Sequence, residues 1–356
     1  PSAGARGSSA IIWHRTRTRT APGFTTHSHP NERRRMTISQ EQATWFAQTF
    51  GQIADNVEQS VLGKRHVVEL ALTAMLSEGH VLLEDVPGTG KTSLARALAQ
   101  SVDGTNTRIQ FTPDLLPGDI TGITVYDQRN GEFEFHAGPI FANIVLADEI
   151  NRASPKTQAA LLEVMEEGKV TIDGVSRAVG VPFLVIATQN PVEQAGTYRL
   201  PEAQLDRFLM KTSLGYPDHA STIRILDGAA LATTDLAPVI APQALIGMAE
   251  LARDVYVNPL VLDYIARLVD ATRSADQVRL GVSIRGALAL TKATKTRAAS
   301  QGRTYATPDD VKALAVAVLS HRLILQPEAE FDGVTAEAII GQVLLDVEPP
   351  TQREAV

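Results

Sequence analysis

The sequence predicts an α/β protein, a parallel sheet with helices on both faces, followed by an all-helical part. Three observations carry that expectation. Short strands that are apolar throughout recur at His80–Glu84, Ile144–Ala147 and Phe183–Ala187, whereas a sheet with one wet face would alternate apolar and polar residues. Helical patterns lie between those strands, so the connections are crossovers over the sheet faces. After about Gly215 the strand signals fade and helical periodicity takes over.

Taken in order, residues 40–60 and 64–77 read as helices, the second with Val67, Val68, Leu70, Ala71, Ala74 and Met75 on its apolar side. His80–Glu84 is a short buried strand. Ser93–Ser101 is a helix with Leu94, Ala95, Leu98 and Ala99 turned to a core. Arg108–Thr112 and Ile144–Ala147 are further strands. Ser154-Pro155 supplies a cap and a proline for a first helical turn, Leu161, Leu162 and Met165 line that helix, and Gly168 ends it. Val170–Ile172 and Val175–Arg177 flank Asp173-Gly174, a two-residue hairpin signal. Phe183–Ala187 follows as a strand. Beyond it, helices are expected at 242–255, 259–273, 284–300, 308–320 and 335–346, with Asn258-Pro259 and Thr307-Pro308 as cap-plus-proline starts. The expected division is a disordered leader (1–35), an α/β part (36–215), a helical part (216–350) and a short tail (351–356).

Composition narrows the function classes. The 356 residues carry 44% hydrophobic and 21% charged side chains, ordinary values for a globular chain. Cysteine is absent, which excludes disulfides, thiolate zinc sites and cysteine nucleophiles. No apolar stretch nears the ~18 residues that a bilayer span needs. Both points fit a cytoplasmic protein without a membrane span. The net charge of −7 is uneven: residues 1–35 hold seven Arg and one acid, Glu32, leaving 26 basic and 39 acidic side chains in the remainder. An acidic body repels phosphate backbones, which disfavours nucleic acid as the main partner. The Arg-rich, acid-poor opening resembles a transit peptide. It lacks an amphipathic face, however, and the reading preferred here is a tail or upstream sequence ahead of a start at Met36.

Glu84-Asp85-Val86-Pro87-Gly88-Thr89-Gly90-Lys91-Thr92 stands between a strand and a helix, the setting of a phosphate-binding P-loop. Gly88 and Gly90 let the backbone wrap an anion, and the helix start adds its positive end. Pro87, Gly88, Thr89, Gly90, Lys91, Thr92 and Ser93 are the expected nucleotide contacts, with Lys91 reaching the β- and γ-phosphates and the Thr92 hydroxyl binding Mg²⁺. The strict pattern has Gly where this chain has Asp85, whose carboxylate must point away from any phosphate.

Three further features point to hydrolysis. Ile144-Val145-Leu146-Ala147 ends in Asp148-Glu149; Asp148 is the candidate for Mg²⁺ and Glu149 for the general base. Ala187-Thr188-Gln189-Asn190-Pro191 follows at the end of the next strand, where ligands of open parallel sheets bind, so Asn190 is expected to orient the attacking water. Arg207, in Leu200–Phe208, and Arg285, in Gly281–Arg285, are both candidates for the arginine that meets charge building on the phosphoryl oxygens.

These strings together resemble the MoxR family of AAA+ ATPases, which is related to the ATPase subunit of magnesium chelatase. The resemblance runs from about residue 40 to residue 350. It is carried by LLEDVPGTGKT (82–92), FTPDLLPGDITG (111–122), GPIFANIVLADEINRASPKTQAALLEVMEEG (138–168), ATQNP (187–191), LPEAQLDRF (200–208) and GVSIRGALAL (281–290). It implies a P-loop sheet domain with a helical lid, ATP and Mg²⁺ as ligands, and assembly into rings, commonly hexamers. It further implies that Lys91 and Thr92 are Walker A, Asp148 and Glu149 Walker B, and Asn190 sensor 1. Arg207 falls at the arginine finger for the neighbouring subunit's nucleotide and Arg285 at sensor 2, contacting phosphate from the lid. Val61, Leu62, Gly63 and the Gly215-Tyr216-Pro217 segment fall where adenine is enclosed. Residues Tyr126–His136 resemble the helix-2 insert, and the Asp173-Gly174 turn the pre-sensor-1 hairpin. Family members are chaperone-like and act on protein complexes, often with von Willebrand factor A domain partners, several assisting insertion of a metal or cofactor.

The leading functional expectation is therefore an ATP-driven remodeller of protein complexes. A nucleic-acid motor or loader is the rival, since related clades share the hairpin and the insert. A nucleotide-binding scaffold without hydrolysis is a third reading.

Overall fold

The computed structural model describes residues 37–86, 88–190, 197–228 and 235–350. The expected leader at 1–35, the start at Met36 and the tail at 351–356 lie outside them. In chain order, α1 (Gln40–Glu58) and α2 (Arg65–Leu76) lead into β1 (Val81–Glu84) and α3 (Lys91–Ser101). Then come β2 (Asn106–Gln110), α4 (Pro117–Thr121), β3 (Gly122–Asp127), β4 (Glu132–Ala137) and β5 (Ile144–Asp148). A 3₁₀ turn, Ile150–Arg152, precedes α5 (Pro155–Glu167), β6 (Lys169–Ile172), β7 (Val175–Ala178) and β8 (Leu184–Gln189). α6 (Glu202–Leu205), β9 (Met210–Thr212) and α7 (His219–Leu226) complete this part. The helical part holds α8 (Pro242–Arg253), α9 (Pro259–Ser274), β10 (Val278–Leu280), α10 (Ile284–Ser300) and α11 (Pro308–Leu319). It ends with a 3₁₀ turn (Ser320–Arg322), β11 (Ile324–Leu325), α12 (Pro327–Phe331) and α13 (Ala336–Asp346).

The main sheet has the order β2-β5-β8-β1-β9, and every pairing in it is parallel. Strand periodicity explains why its three central strands, β5, β8 and β1, are apolar along most of their length. Val81, Leu83, Ile144, Leu146, Leu184 and Ile186 face one core, shared with α1, α2, α3 and the helical part. Their alternates Leu82, Val145, Ala147, Val185 and Ala187 face a second core with Leu161 and Leu162 of α5. Both faces are dry along these central strands, so polar side chains enter only at their carboxyl ends, as Glu84, Asp148, Thr188 and Gln189 do.

Local signals act where they stand. Ser39 and Gln42 form a reciprocal capping box on α1. Ser154 accepts the Thr157 N–H, Pro155 opens α5, and Gly168 closes it at φ 63°. Asp173 (φ 52°) and Gly174 (φ 76°) make the left-handed turn between β6 and β7. That hairpin and β3–β4 each form a two-stranded ribbon apart from the main sheet.

Several bounds differ from expectation. The strand expected at Arg108–Thr112 is Asn106–Gln110, because β2 pairs residue by residue with Ile144–Asp148. The helix expected from Ser93 begins at Lys91, capped by Gly90. β9, α7 and the small β10–β11 pair lack sequence signals because they are short, and β3–β4 because it has little core to face: Ile123, Tyr126 and Phe133 are exposed. From Thr37 on, the described residues belong to one packed unit. No helix among them is long and apolar enough to cross a membrane.

Candidate functional site

The register of the sheet assembles the site. β8 lies between β1 and β5, with Glu84 opposite Gln189 and Ala147 opposite Ala187. The loop after β1, the Asp148-Glu149 pair after β5 and Asn190 after β8 therefore emerge at one carboxyl edge, where open parallel sheets bind ligands. The Asp85 N–H donates to Gln189 O at 3.1 Å, tying the first of these segments to the third.

In the loop, Gly88 (φ 84°) and Gly90 (φ 94°) adopt left-handed conformations, and a Cβ at either would meet nothing within 4 Å. The glycines are required by backbone conformation, and the space beside them is open. α3 starts at Gly90 with no side chain capping it, so its first N–H groups are available to an anion. Lys91 is buried, its Nζ 3.4 Å from Asp85 O, while Thr92 and Ser93 are exposed. Pro87 lies outside the described residues.

Asp85 does point away. It is 4% exposed, and its carboxylate accepts the Ser213 hydroxyl at 2.8 Å, the Leu214 N–H at 2.7 Å and the Gly215 N–H at 2.9 Å. It thus fastens the segment after β9 to the base of the Gly-rich loop. Tyr216, next in chain and 75% exposed, offers its carbonyl to Lys64 Nζ at 2.6 Å. A Cβ on Gly63 would lie 2.4 Å from Ser221 Oγ. Val61, Leu62 and Gly63 are thereby held against the 216–221 segment, on the flank of the loop.

Residues that sequence reasoning missed organise the acids. The Thr188 hydroxyl donates to Asp148 Oδ1 at 2.7 Å and accepts the Glu149 N–H at 2.9 Å. Glu149 stands at φ 57°, a conformation costing a non-glycine residue about 1–3 kcal/mol unless its surroundings hold it. The Thr188 bond is one such hold. Glu149 Oε2 also accepts Gln110 Nε2 at 2.8 Å and Arg152 Nη1 at 2.9 Å. Arg108 donates to Asp148 Oδ2 through Nη2 at 2.6 Å and Nε at 3.2 Å. Arg108 and Gln110 alternate on the strand beside β5, and that adjacency appears only once strand order is known. Asn190 is buried.

Arg207 and Arg285 lie elsewhere. Both donate to one carboxylate, Glu166, near the end of α5: Arg207 at 3.2 Å to Oε2 and Arg285 to Oε1. With Asp206, Arg253 and Lys292 they line a cavity of about 560 Å³ that reaches Gly79 and His80. His80 precedes β1, and Lys91 follows it. The four residues of β1 span ~13 Å, so the structure brings the two arginines to each other and not to their own chain's Gly-rich loop. His80 is neutral: burial pushes its pKa down to about 4, with Nε2 on Met165 O and Nδ1 accepting the Val185 N–H.

The donor set at the carboxyl edge suits Mg²⁺ with a triphosphate. Asp148 and the Thr92 hydroxyl would offer hard oxygen donors, and the described residues hold no cluster of three or more His, Cys, Asp or Glu that would form an all-protein cage. Mg²⁺ characteristically binds through one or two carboxylates plus substrate phosphates.

Comparison with known proteins bears on this geometry. Residues 80–210 match the ATPase family associated with various cellular activities (AAA), and residues 270–343 match the AAA lid domain. Chaperone MoxR1 of Mycobacterium tuberculosis (strain ATCC 25618 / H37Rv) is 42% identical over 303 residues, 83% of this chain and 80% of its own. Protein MoxR of Paracoccus denitrificans is 33% identical over 297 residues, 76% of this chain and 87% of its own. This chain belongs to the MoxR family of AAA+ ATPases. Another relative, YeaC of Bacillus subtilis (strain 168), described as uncharacterized, is 49% identical over 308 residues, 86% of this chain and 96% of its own. The MoxR-type fold recurs in a crystal structure of a candidate ATPase from Cytophaga hutchinsonii, at a TM-score of 0.81 and 37% identity, covering 88% of this chain and 98% of that one.

Proposed function

We propose that this MoxR-family chain hydrolyses ATP with Mg²⁺ inside a homo-oligomeric ring and uses the cycle to remodel protein complexes. The observation that carries the reading is the division of the site. The Gly-rich loop, Asp148, Glu149 and Asn190 share one end of β1, and Arg207 and Arg285 share the other. On this reading residues 36–215 form the nucleotide-binding domain and 216–350 the lid. Lys91 and the N–H groups of the loop hold the phosphates, while Val61–Gly63 and Tyr216 flank the adenine. Thr92 and Asp148 would hold Mg²⁺, which would supply charge neutralisation for the phosphates. Asn190 orients the water and Glu149 takes its proton, a contribution of ~10²–10⁴ in rate. Arg207 and Arg285, too far from their own loop, complete the pocket of an adjacent copy.

Six copies, cytoplasmic residence, delivery of a metal or cofactor and von Willebrand factor A domain partners belong to this reading through the family resemblance. The name of the M. tuberculosis relative supports a chaperone-like role. A protein client is favoured over nucleic acid by the acidic body and by the Asp173-Gly174 tip of the β6–β7 ribbon.

The test mixes Lys91→Ala chains with Arg207→Ala chains, each inactive alone. Hybrid interfaces then contain one intact loop facing one intact arginine, and partial recovery of phosphate release is expected. Absence of recovery at every mixing ratio would refute completion of the site by a neighbour.

A further inference from the structure

A second charged cluster lies directly behind the two arginines and connects them to the lid. Arg322, from the 3₁₀ turn after α11, has a side chain only 2% exposed. Its Nε donates to Asp206 Oδ1 at 2.7 Å, its Nη2 to Phe208 O at 2.7 Å and Asp206 O at 3.2 Å, and its Nη1 to Val318 O at 2.6 Å. Three of those four acceptors belong to the residues on either side of Arg207. The remaining oxygen of Asp206 accepts the Ser283 hydroxyl at 3.0 Å. Ser283 in turn caps α10 by accepting the Gly286 N–H at 3.2 Å, and Arg285 is in that first helical turn.

The close approach is built into the backbone. A Cβ at Gly286 would lie 2.9 Å from Arg322 Cδ and 2.5 Å from Val282 Cγ1. Only glycine lets the Arg322 stem pass beneath the start of α10. A buried ion pair is a poor source of stability, because desolvation offsets the attraction. A planar guanidinium with several fixed donors does supply direction.

Resting on the reading that Arg207 and Arg285 serve an adjacent copy, we infer that Arg322 is a positioning residue for both. Through Asp206 and the Phe208 carbonyl it sets the backbone that carries Arg207. Through Asp206 and Ser283 it sets the helix start that carries Arg285. The lid thereby aims two guanidinium groups as one unit.

The test uses the full chain with Arg322→Lys, which keeps the charge and loses the fork, and with Gly286→Ala, which keeps Arg322 but crowds its stem together with Val282. A misplacement of about 1 Å at a reacting centre costs ~10²-fold. Each variant should therefore lose ~10- to 100-fold in kcat, with KM for ATP held within ~3-fold, because the loop contacts that hold the nucleotide are untouched and the arginines meet charge that builds only in the transition state. Mixed with Lys91→Ala chains, each should regain activity, since the Lys91→Ala chain donates correctly aimed arginines to an intact loop. The pair Arg207→Ala with Lys91→Ala serves as control. Recovery in the control without recovery for either variant overturns the inference and leaves the neighbour-completed site standing; failure of the control overturns both. Unchanged kcat in both variants, or a raised KM at unchanged kcat, also overturns it. Should Arg322→Lys fail to fold, Gly286→Ala carries the same expectations alone.

Discussion

Replacing Asp85 with glycine would restore the strict Gly-rich pattern and should nevertheless damage the protein. The carboxylate accepts two backbone N–H groups, of Leu214 and Gly215, and the Ser213 hydroxyl. The hydroxyl can turn to solvent, but Leu214 is buried and Gly215 half-buried. Each N–H left without a partner costs about 1–3 kcal/mol. Glycine adds about 0.5–1 kcal/mol of backbone entropy at a position that does not need its freedom. The expected loss is about 2.5–7 kcal/mol, which lowers a urea midpoint by roughly 1–2 M at a slope near 3 kcal/mol/M. ATP affinity should fall as well, because the released segment carries Tyr216. Urea unfolding followed by circular dichroism, with fluorescent-nucleotide titration of the folded variant, measures both. A midpoint equal to or above that of the unaltered chain would refute the argument that Asp85 is a structural clasp.

Glu149→Gln should retain ATP binding and slow steady-state phosphate release about a hundredfold or more; unchanged turnover would remove Glu149 from the role of base. Thr188→Val keeps the shape of the side chain but strips a partner from both Asp148 Oδ1 and the Glu149 N–H. A fall in kcat of roughly 5- to 150-fold is expected, from a loss of about 1–3 kcal/mol in the order of the two acids, and a full rate would show that the bridge is dispensable. His80 has its pKa lowered from 6.5 to about 4, so between those values the unfolded chain takes up a proton that the folded one refuses. Stability therefore falls as pH drops through that window, by about 2 kcal/mol from pH 7 to pH 5 for this group. Urea midpoints of His80→Gln should lose correspondingly less over the same range, and equal losses in both proteins would refute the assignment.

How much of this was legible beforehand depended on how far apart in the chain the cooperating atoms lie. Ser154-Pro155 and Gly168 bound α5 as expected, and Asp173-Gly174 turned the β6–β7 hairpin. The runs at 80–84, 144–147 and 183–187 were readable as buried strands because both faces of the sheet are dry there, and the strands stand at Val81–Glu84, Ile144–Asp148 and Leu184–Gln189. β3–β4 has little core to face, β9 has three residues, and neither produced a pattern of its own. At the site, Asp148, Glu149 and Asn190 could be picked out because they stand at or just after a strand end, and Lys91 because it closes the loop after β1, so their meeting follows from strand order. Arg108, Gln110 and Thr188 could not, since nothing local marks a strand residue as facing an acid on its neighbour.

The sequence alone therefore determined the parts governed by short-range rules: where glycine permits a left-handed turn, where caps open helices, which runs must be buried, and which side chains can handle phosphate, metal and water. Tertiary structure decided what each charged side chain is for. Asp85 became a clasp through partners some 128 to 130 residues away, and Arg322 a lever on Asp206 through a contact spanning 116. The separation of Arg207 and Arg285 from their own Gly-rich loop likewise arises from strand order and lid placement. The physical reason is range. A backbone conformation is settled by neighbours within about one helical turn, whereas the worth of a charge depends on whichever group the folded chain brings within a few ångströms of it.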